Sequence, residues 1–212
     1  MKHFKILSIL TCLSFSMAWS QESKSQQAEY ISHNRTVEQV TENGRSIVRL
    51  SEGTGAGVAW LKDLLLSEGT IEFDAKGRDV MQKSFIGIAF HGIDNETYET
   101  IYFRPFNFQS SDSARRIHAV QYSFEPKFGF QQLRNTHKDK YESGINSPTV
   151  KAADWFHVKI EVKENRIKAF VNGAAVPCLE VTTLNPNPAG KRVGFWVGNS
   201  SNGDFANLKI SK

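Results

Sequence analysis

The last third of the chain limits its fold more than any other part. Segments 155–162 (WFHVKIEV), 166–171 (RIKAFV) and 175–181 (AVPCLEV) alternate apolar and polar residues with the period of a strand. They are joined at Glu164-Asn165 and Asn172-Gly173, pairs that suit tight hairpins because Asn and Gly accept positive φ. Segments 192–198 (RVGFWVG) and 205–210 (FANLKI) continue the pattern. Consecutive hairpins without a helical period leave no route to an α/β fold, in which crossover helices separate the strands. The expectation is an all-β fold, a two-sheet antiparallel jelly-roll sandwich, with Trp155, Val158, Ile160, Val162, Phe170, Phe195 and Leu208 contributing to its core.

The earlier residues fit the same scheme. Asn43-Gly44 is a hairpin signal between strands at 36–41 and 46–50. Gly53, Gly55 and Gly57 form a turning loop and not a phosphate cradle, since no Lys-Ser/Thr follows. Leu64-Leu65-Leu66 is either a buried strand or one helical turn. Segment 70–75 sets Ile71 and Phe73 on one face and Glu72 and Asp74 on the other. Segment 85–90, almost wholly apolar with Gly87 inside it, reads as a strand buried on both faces and paired with 97–103. Segment 117–124 alternates, with His118, Val120 and Tyr122 on one face and Ile117, Ala119, Gln121 and Ser123 on the other, until Pro126 ends it.

A length of 212 residues suits one domain of this class. Residues 1–20 carry Lys2 and Lys5, an apolar run over 6–15 and then Ala18-Trp19-Ser20, the pattern of an export signal cut before Gln21. The apolar run is about half the roughly 20 residues that a spanning helix needs, so no membrane span is expected. Residues 21–29 read as a flexible lead, residues 30–212 as the sandwich domain, and the mature chain as periplasmic or secreted. Loss of the two signal lysines takes the net charge from +4 to 4 − 2 = +2. With acids and bases interleaved this excludes a nucleic-acid partner, which calls for a clustered basic face. Cys178 is the only cysteine left after cleavage, so the domain relies on core burial and not on a disulfide. His91, His118, His137 and His157 are dispersed, and no zinc, calcium or other cofactor site is expected.

One stretch departs from the strand pattern. Residues 101–142 crowd Arg104, Arg115, Arg116, Arg134, His118, Gln121, Asn107, Asp112 and Glu142 among Tyr102, Phe106, Tyr122 and Tyr141. Guanidinium forks and amides supply fixed donors and aromatic faces supply flat apolar platforms, a mixture suited to a polyhydroxylated or anionic ligand. Arg104, between Phe103 and Pro105-Phe106, is partly dehydrated and needs a partner, whether Glu142, Asp112 or a ligand anion.

WFHVKIEVKENRIKAFVNG followed by GKRVGFWVGNSSNGDFANLKI resembles the closing strands of concanavalin A-like lectin/glucanase and laminin-G-like jelly rolls. YFRPFNF, RRIHAVQY, LR and KYES are further similar to exported bacterial members related to 3-keto-disaccharide hydrolase domains. The resemblance implies a carbohydrate or polysaccharide ligand on a concave sheet face. The ligand-binding candidates are Tyr102, Arg104, Asn107, Arg115, Arg116, His118, Gln121, Arg134 and Tyr141, with Tyr122 a further stacking ring. The alternatives are a glycoside hydrolase or polysaccharide lyase with Glu142 or His118 as its acid/base, and an adhesion module with no small ligand, whose arginines pair with Asp112, Glu125 and Glu142. Glucanases of that superfamily carry a Glu-x-Asp-x-x-Glu strand. Glu72-Phe73-Asp74-Ala75-Lys76-Gly77 has the first two acids and lacks the third, so Glu72 and Asp74 are expected on a solvated strand face.

Overall fold

The computed structural model describes residues 28–147 and 149–212, so the expected export signal lies outside the described residues. The elements run β1 (Tyr30–His33), β2 (Val37–Glu42), β3 (Arg45–Leu50), β4 (Gly57–Leu65), β5 (Gly69–Lys76), β6 (Ile86–Gly92) and β7 (Tyr98–Phe103). A 3-10 turn (Pro105–Asn107), α1 (Ser113–Arg116), β8 (Val120–Glu125), α2 (Phe130–Thr136) and β9 (Glu142–Ser143) follow. The chain closes with β10 (Phe156–Lys163), β11 (Arg166–Val171), β12 (Leu179–Thr182), β13 (Arg192–Val197) and β14 (Gly203–Ser211). One sheet has the order β1-β4-β13-β6-β7-β8-β9 and the other β12-β11-β10-β5-β14-β3-β2. Every paired neighbour is antiparallel, and the expected two-sheet sandwich is what forms.

The hairpin chemistry works as the sequence dictates. Asn43 and Gly44 take φ of 51° and 76°, and Asn172 and Gly173 take 51° and 69°, the left-handed pairs that match strand twist. Between the sheets Ile71, Phe73, Phe156, Val158 and Ile160 of one meet Ile88, Phe103, Val120 and Phe195 of the other in a single cluster. Cys178 is a buried small residue whose Sγ approaches Ala169 O at 3.3 Å.

Several expectations need correction. Phe170 is buried as expected, at 7%, but outside the cluster between the sheets: it pairs across from Lys159, whose ammonium lies 4.2 Å from its ring. Trp155 precedes β10 and lies half-buried beneath Arg45, and Leu208 is half-buried at the margin. The ring that fills the expected place of Phe170 is Phe156, 1 % exposed. Segment 117–124 forms a strand only from Val120, because α1 and its following turn take up Ile117 and His118. The glycine loop turns as expected, yet for a reason that its own residues do not carry. Arg35 threads through it, donating to Gly53 O at 3.0 Å, Gly55 O at 2.6 Å and Gly198 O at 2.8 Å, and a Cβ at Gly57 would fall 2.3 Å from that side chain.

Candidate functional site

Strand register assembles the site. Val58 pairs with Trp196, Trp196 with Gly87, Gly87 with Tyr102, Tyr102 with Gln121 and Gln121 with Glu142, so one row crosses six strands on the outer face of the first sheet. Gly87 is what lets the row close up. A Cβ there would lie 2.1 Å from Ile101 O and 2.6 Å from Tyr102 Cα, and without it the Tyr102 and Trp196 rings meet at 4.9 Å. The next row is Trp60, Gly194, Ala89, Thr100 and Ser123, in which every residue after the tryptophan is small. Tyr98 and Glu125 pair in the row beyond. Backbone pairing therefore lays down a small-residue floor between two lines of larger side chains. Trp196 Nε1 donates to Tyr98 OH at 3.1 Å and Trp60 Nε1 to Asn95 Oδ1 at 2.9 Å, fixing both indoles.

The polar end of this trough is organised by Glu142. Arg134 grips it with both forks, Nε to Oε1 at 3.1 Å and Nη2 to Oε2 at 3.0 Å. Arg104 Nη1 stands 3.5 Å from Oε2, and His118 Nδ1 lies 2.8 Å from the same oxygen, off the line of a hydrogen bond. Burial alone would raise the carboxyl's pKa. The Arg134 hydrogen bonds, with the charges of Arg134, Arg104 and His118, more than offset that and hold it below its ordinary value. Arg104 is 4 % exposed and satisfied mostly by neutral oxygens: Nη1 donates to His118 O at 2.9 Å, and Nη2 to Tyr102 OH at 3.0 Å and to Gln121 Oε1. Asp112 takes no part, since it caps α1 through Ala114 N and lies 3.7 Å from Arg115.

Four buried polar atoms here lack hydrogen-bond partners among the described residues: Asn107 Oδ1, His118 Nδ1, Gln121 Nε2 and Thr100 Oγ1. Gln121 Oε1 receives Arg104 and also Tyr102 OH at 3.2 Å, which fixes the amide and leaves Gln121 Nε2 as a buried donor with nothing to meet. Thr100 Oγ1, on the floor, is also buried and unpartnered. Each such group costs about 1 to 3 kcal/mol until something bonds to it.

The sequence candidates thus divide. Tyr102, Arg104, Asn107, His118, Gln121, Arg134 and Glu142 converge, Asn107 by donating to His118 O at 3.1 Å. Arg115 and Arg116 are not brought in: both are exposed on α1, and Arg116 folds back onto Ser110 O at 2.6 Å. Tyr122 and Tyr141 stack at 5.5 Å on the opposite, core-facing side and cannot offer a ring to this face. His118 sits in the turn before β8 and shares its partner with the Gln121 face, contrary to the alternation expected for 117–124. Sequence reasoning missed Trp60, Trp196, Thr100 and Phe130, and placed Glu125 only as an arginine partner, whereas it bonds Ser123. The available signal was the pair Gly87 and Gly194 inside apolar strands, where a missing side chain marks a close approach.

Elsewhere, Glu72 and Asp74 stand on the outer face of the second sheet as expected, joined by His157 with Nδ1 2.8 Å from Asp74 Oδ1 and Nε2 3.2 Å from Glu72 Oε2. Two surface depressions of about 320 and 240 Å³ are lined by charged side chains such as Lys163 and Arg166 or Lys76 and Arg78. Neither touches the trough, and no aromatic ring lines either. Among the described residues no cluster of His, Cys, Asp and Glu is arranged to hold a metal ion, and no helix is long and apolar enough to cross a membrane.

No family model matches the chain, and no curated protein matches it in sequence. Its fold does match solved structures. The carbohydrate-binding module CBM66 from Bacillus subtilis superposes with a TM-score of 0.61 at 13% identity, over 88% of this chain and 98% of the module. The exoplasmic/lumenal domain of VIP36, in its Ca2+/Man3GlcNAc-bound form, gives 0.54 at 11%, over 87% and 85%. A glycosidic hydrolase gives 0.52 at 14%, over 86% and 90%. At these identities the likeness establishes the fold, a two-sheet antiparallel sandwich, and nothing further.

Proposed function

We propose that the chain is an exported glycan-binding sandwich whose ligand lies in the trough on the outer face of the first sheet. The observation that carries this is that two of the unpartnered buried atoms, Gln121 Nε2 and Thr100 Oγ1, lie beside the Arg104–Glu142–Arg134 cluster and between lines of aromatic rings. A sugar presents alternating hydroxyls and apolar C–H faces, which complete such donors and acceptors while resting against rings. Folds shared with a carbohydrate-binding module and a mannose-bound lectin domain support the reading. Export rests on the residue 1–20 pattern, and mass spectrometry of the extracytoplasmic protein should find Gln21 at its start. The relation to 3-keto-disaccharide hydrolase domains rests on the sequence of 101–142 alone.

One observation favours a hydrolase as second reading. Burial raises the Glu125 carboxyl while Glu142 is held down, and opposite shifts on one face are how acid and base roles are divided. It is the weaker reading because both Glu142 oxygens are already engaged by Arg134 and neither is free to attack or to take up a proton. A glycan array probed with the mature chain, followed by product analysis on each bound glycan, tests both. Binding without turnover is expected, turnover would promote the second reading, and an array without a hit would end both.

A further inference from the structure

The trough is bordered at the free edge of its sheet by α2, a helix that nothing in the strand pattern required. Its N-cap Gly129 lies against Glu125 at the end of β8, where a Cβ would stand 3.0 Å from Oε2, and its last turn delivers Arg134 to Glu142, so it borders β8 at the polar end. Leu133 is its one buried residue. Phe130 and Arg134 are one turn apart on the same helical face, with the guanidinium carbon 5.7 Å from the Phe130 ring centroid. Among the described residues Phe130 is the only aromatic in the set of large hydrophobics that stay mostly exposed, at 47%. The other rings of the site, Tyr102 and Trp196, are 5% and 7% exposed and are packed against each other and their neighbours.

We infer that Phe130 and Arg134 form the accessible half of the site, and that the sugar they take carries a carboxylate. The inference rests on the glycan-binding reading and deepens it. Phe130 offers the one ring a sugar face can reach without displacing packed side chains. Charge decides the ligand class. Around Glu142 stand two arginines and an imidazole, and after the bidentate bond Arg134 still has Nη1, which has no hydrogen-bond partner among the described residues. Glu125 lies at the other end of α2, where burial favours its neutral form, and Asp139 acts on Arg134 as the weakest of the charges around it, so the positive surplus sits at the Arg134 end. A uronate stacked on Phe130 would point its acid at Arg134 and His118 and turn hydroxyls toward the Gln121 side, and the acid would supply the counter-charge that one carboxylate against two arginines leaves wanting.

The test uses matched probes: uronate-rich oligosaccharides and the same oligosaccharides with their carboxyls reduced to alcohols, titrated calorimetrically against the mature chain. Wild type should prefer the acidic form by about tenfold or more, the worth of one charged hydrogen bond. Phe130→Ala should weaken both forms by about tenfold at an unchanged melting temperature, and Arg134→Gln should erase the preference between them. Equal affinity of wild type for the two forms would overturn the acid assignment, and undiminished binding by Phe130→Ala would overturn the platform, each leaving the glycan reading intact. Only a wild type that binds neither set, nor any glycan on an array, would bring down the reading beneath.

Discussion

Glu99 and Glu142 sit two strands apart in one sheet, are 0% and 8% exposed, and are each ringed by donors, yet the two rings differ in kind. Glu99 points inward. It accepts from Tyr122 OH at 2.6 Å, Thr183 Oγ1 at 2.6 Å, Asn185 Nδ2 at 3.2 Å and His91 Nδ1 at 2.7 Å, drawing together β6, β7, β8 and the loop after β12. His91 Nε2 meets Ser67 O at 2.7 Å, so both ring nitrogens face oxygens, an arrangement that favours the protonated imidazole and raises its pKa. That network has no loose end. Glu142 points outward on a two-residue edge strand, its partners are the buried Arg104 and the part-exposed Arg134 and His118, and orphaned atoms adjoin it. A closed network makes structure, whereas an open one with surplus charge has capacity left for a ligand.

The largest expected effect follows from closing off that distinction. Glu99→Ala strands the buried His91 ring and three further donors, and should lower stability by about 3 to 5 kcal/mol in chemical denaturation while the folded fraction keeps its glycan affinity. Glu142→Ala leaves Arg104 its three neutral acceptors and lets Arg134 reach water. It should cost only about 1.5 to 3 kcal/mol, with glycan binding lost. If Glu142→Ala proved the more damaging to stability, the Glu142 cluster would be the structural one and the comparison would invert.

The two networks should also fail at opposite ends of the pH scale. Glu142 has its carboxyl held below the ordinary 4.5, so its contribution is complete above that pH and disappears as the pH falls through the depressed folded value. For His91, burial alone would lower the pKa from 6.5, but the hydrogen bonds to Glu99 and Ser67 O and the charges of Glu99 and Glu68 raise it on balance. Its contribution is complete below 6.5 and is lost as the pH rises through the raised folded value. Melting temperature followed across pH should therefore lose its alkaline limb in Glu99→Ala and soften its acid limb in Glu142→Ala.

The contrast also marks what the sequence could disclose. Strands and turns were legible because alternation and Asn-Gly pairs are local signals, and Arg104, Gln121, Arg134 and Glu142 were legible because they stand out chemically from their surroundings. Which face each occupied was not. His118 and Tyr141 fall where a helix, a turn and a two-residue strand replace the alternation, and one residue of slip reverses a side chain. Arg115 and Arg116 looked like ligands for want of any signal that α1 would carry them out into solvent. Phe130 was invisible because its importance comes from α2 docking through Leu133 onto β8, a tertiary event.

The smallest expected change in stability comes from the residue that divides the two readings of the open cluster most sharply. Gln121→Glu replaces the orphaned Nε2 by an oxygen while keeping the acceptor that Arg104 and Tyr102 use. Near it, two arginines face one carboxylate, so the second acid completes a charge balance, and the burial cost of the new carboxylate is offset by bonds already aimed at it. The fold should keep its stability to within about 1 kcal/mol. If the unpartnered nitrogen is only a flaw in packing, nothing else should change. If it donates to a sugar hydroxyl in a site that takes an acid, the variant loses a donor and gains a repelling charge together, and glycan affinity should fall by about tenfold or more. Unaltered affinity at unaltered stability would leave the orphaned atom without a role and move the ligand away from this end of the trough.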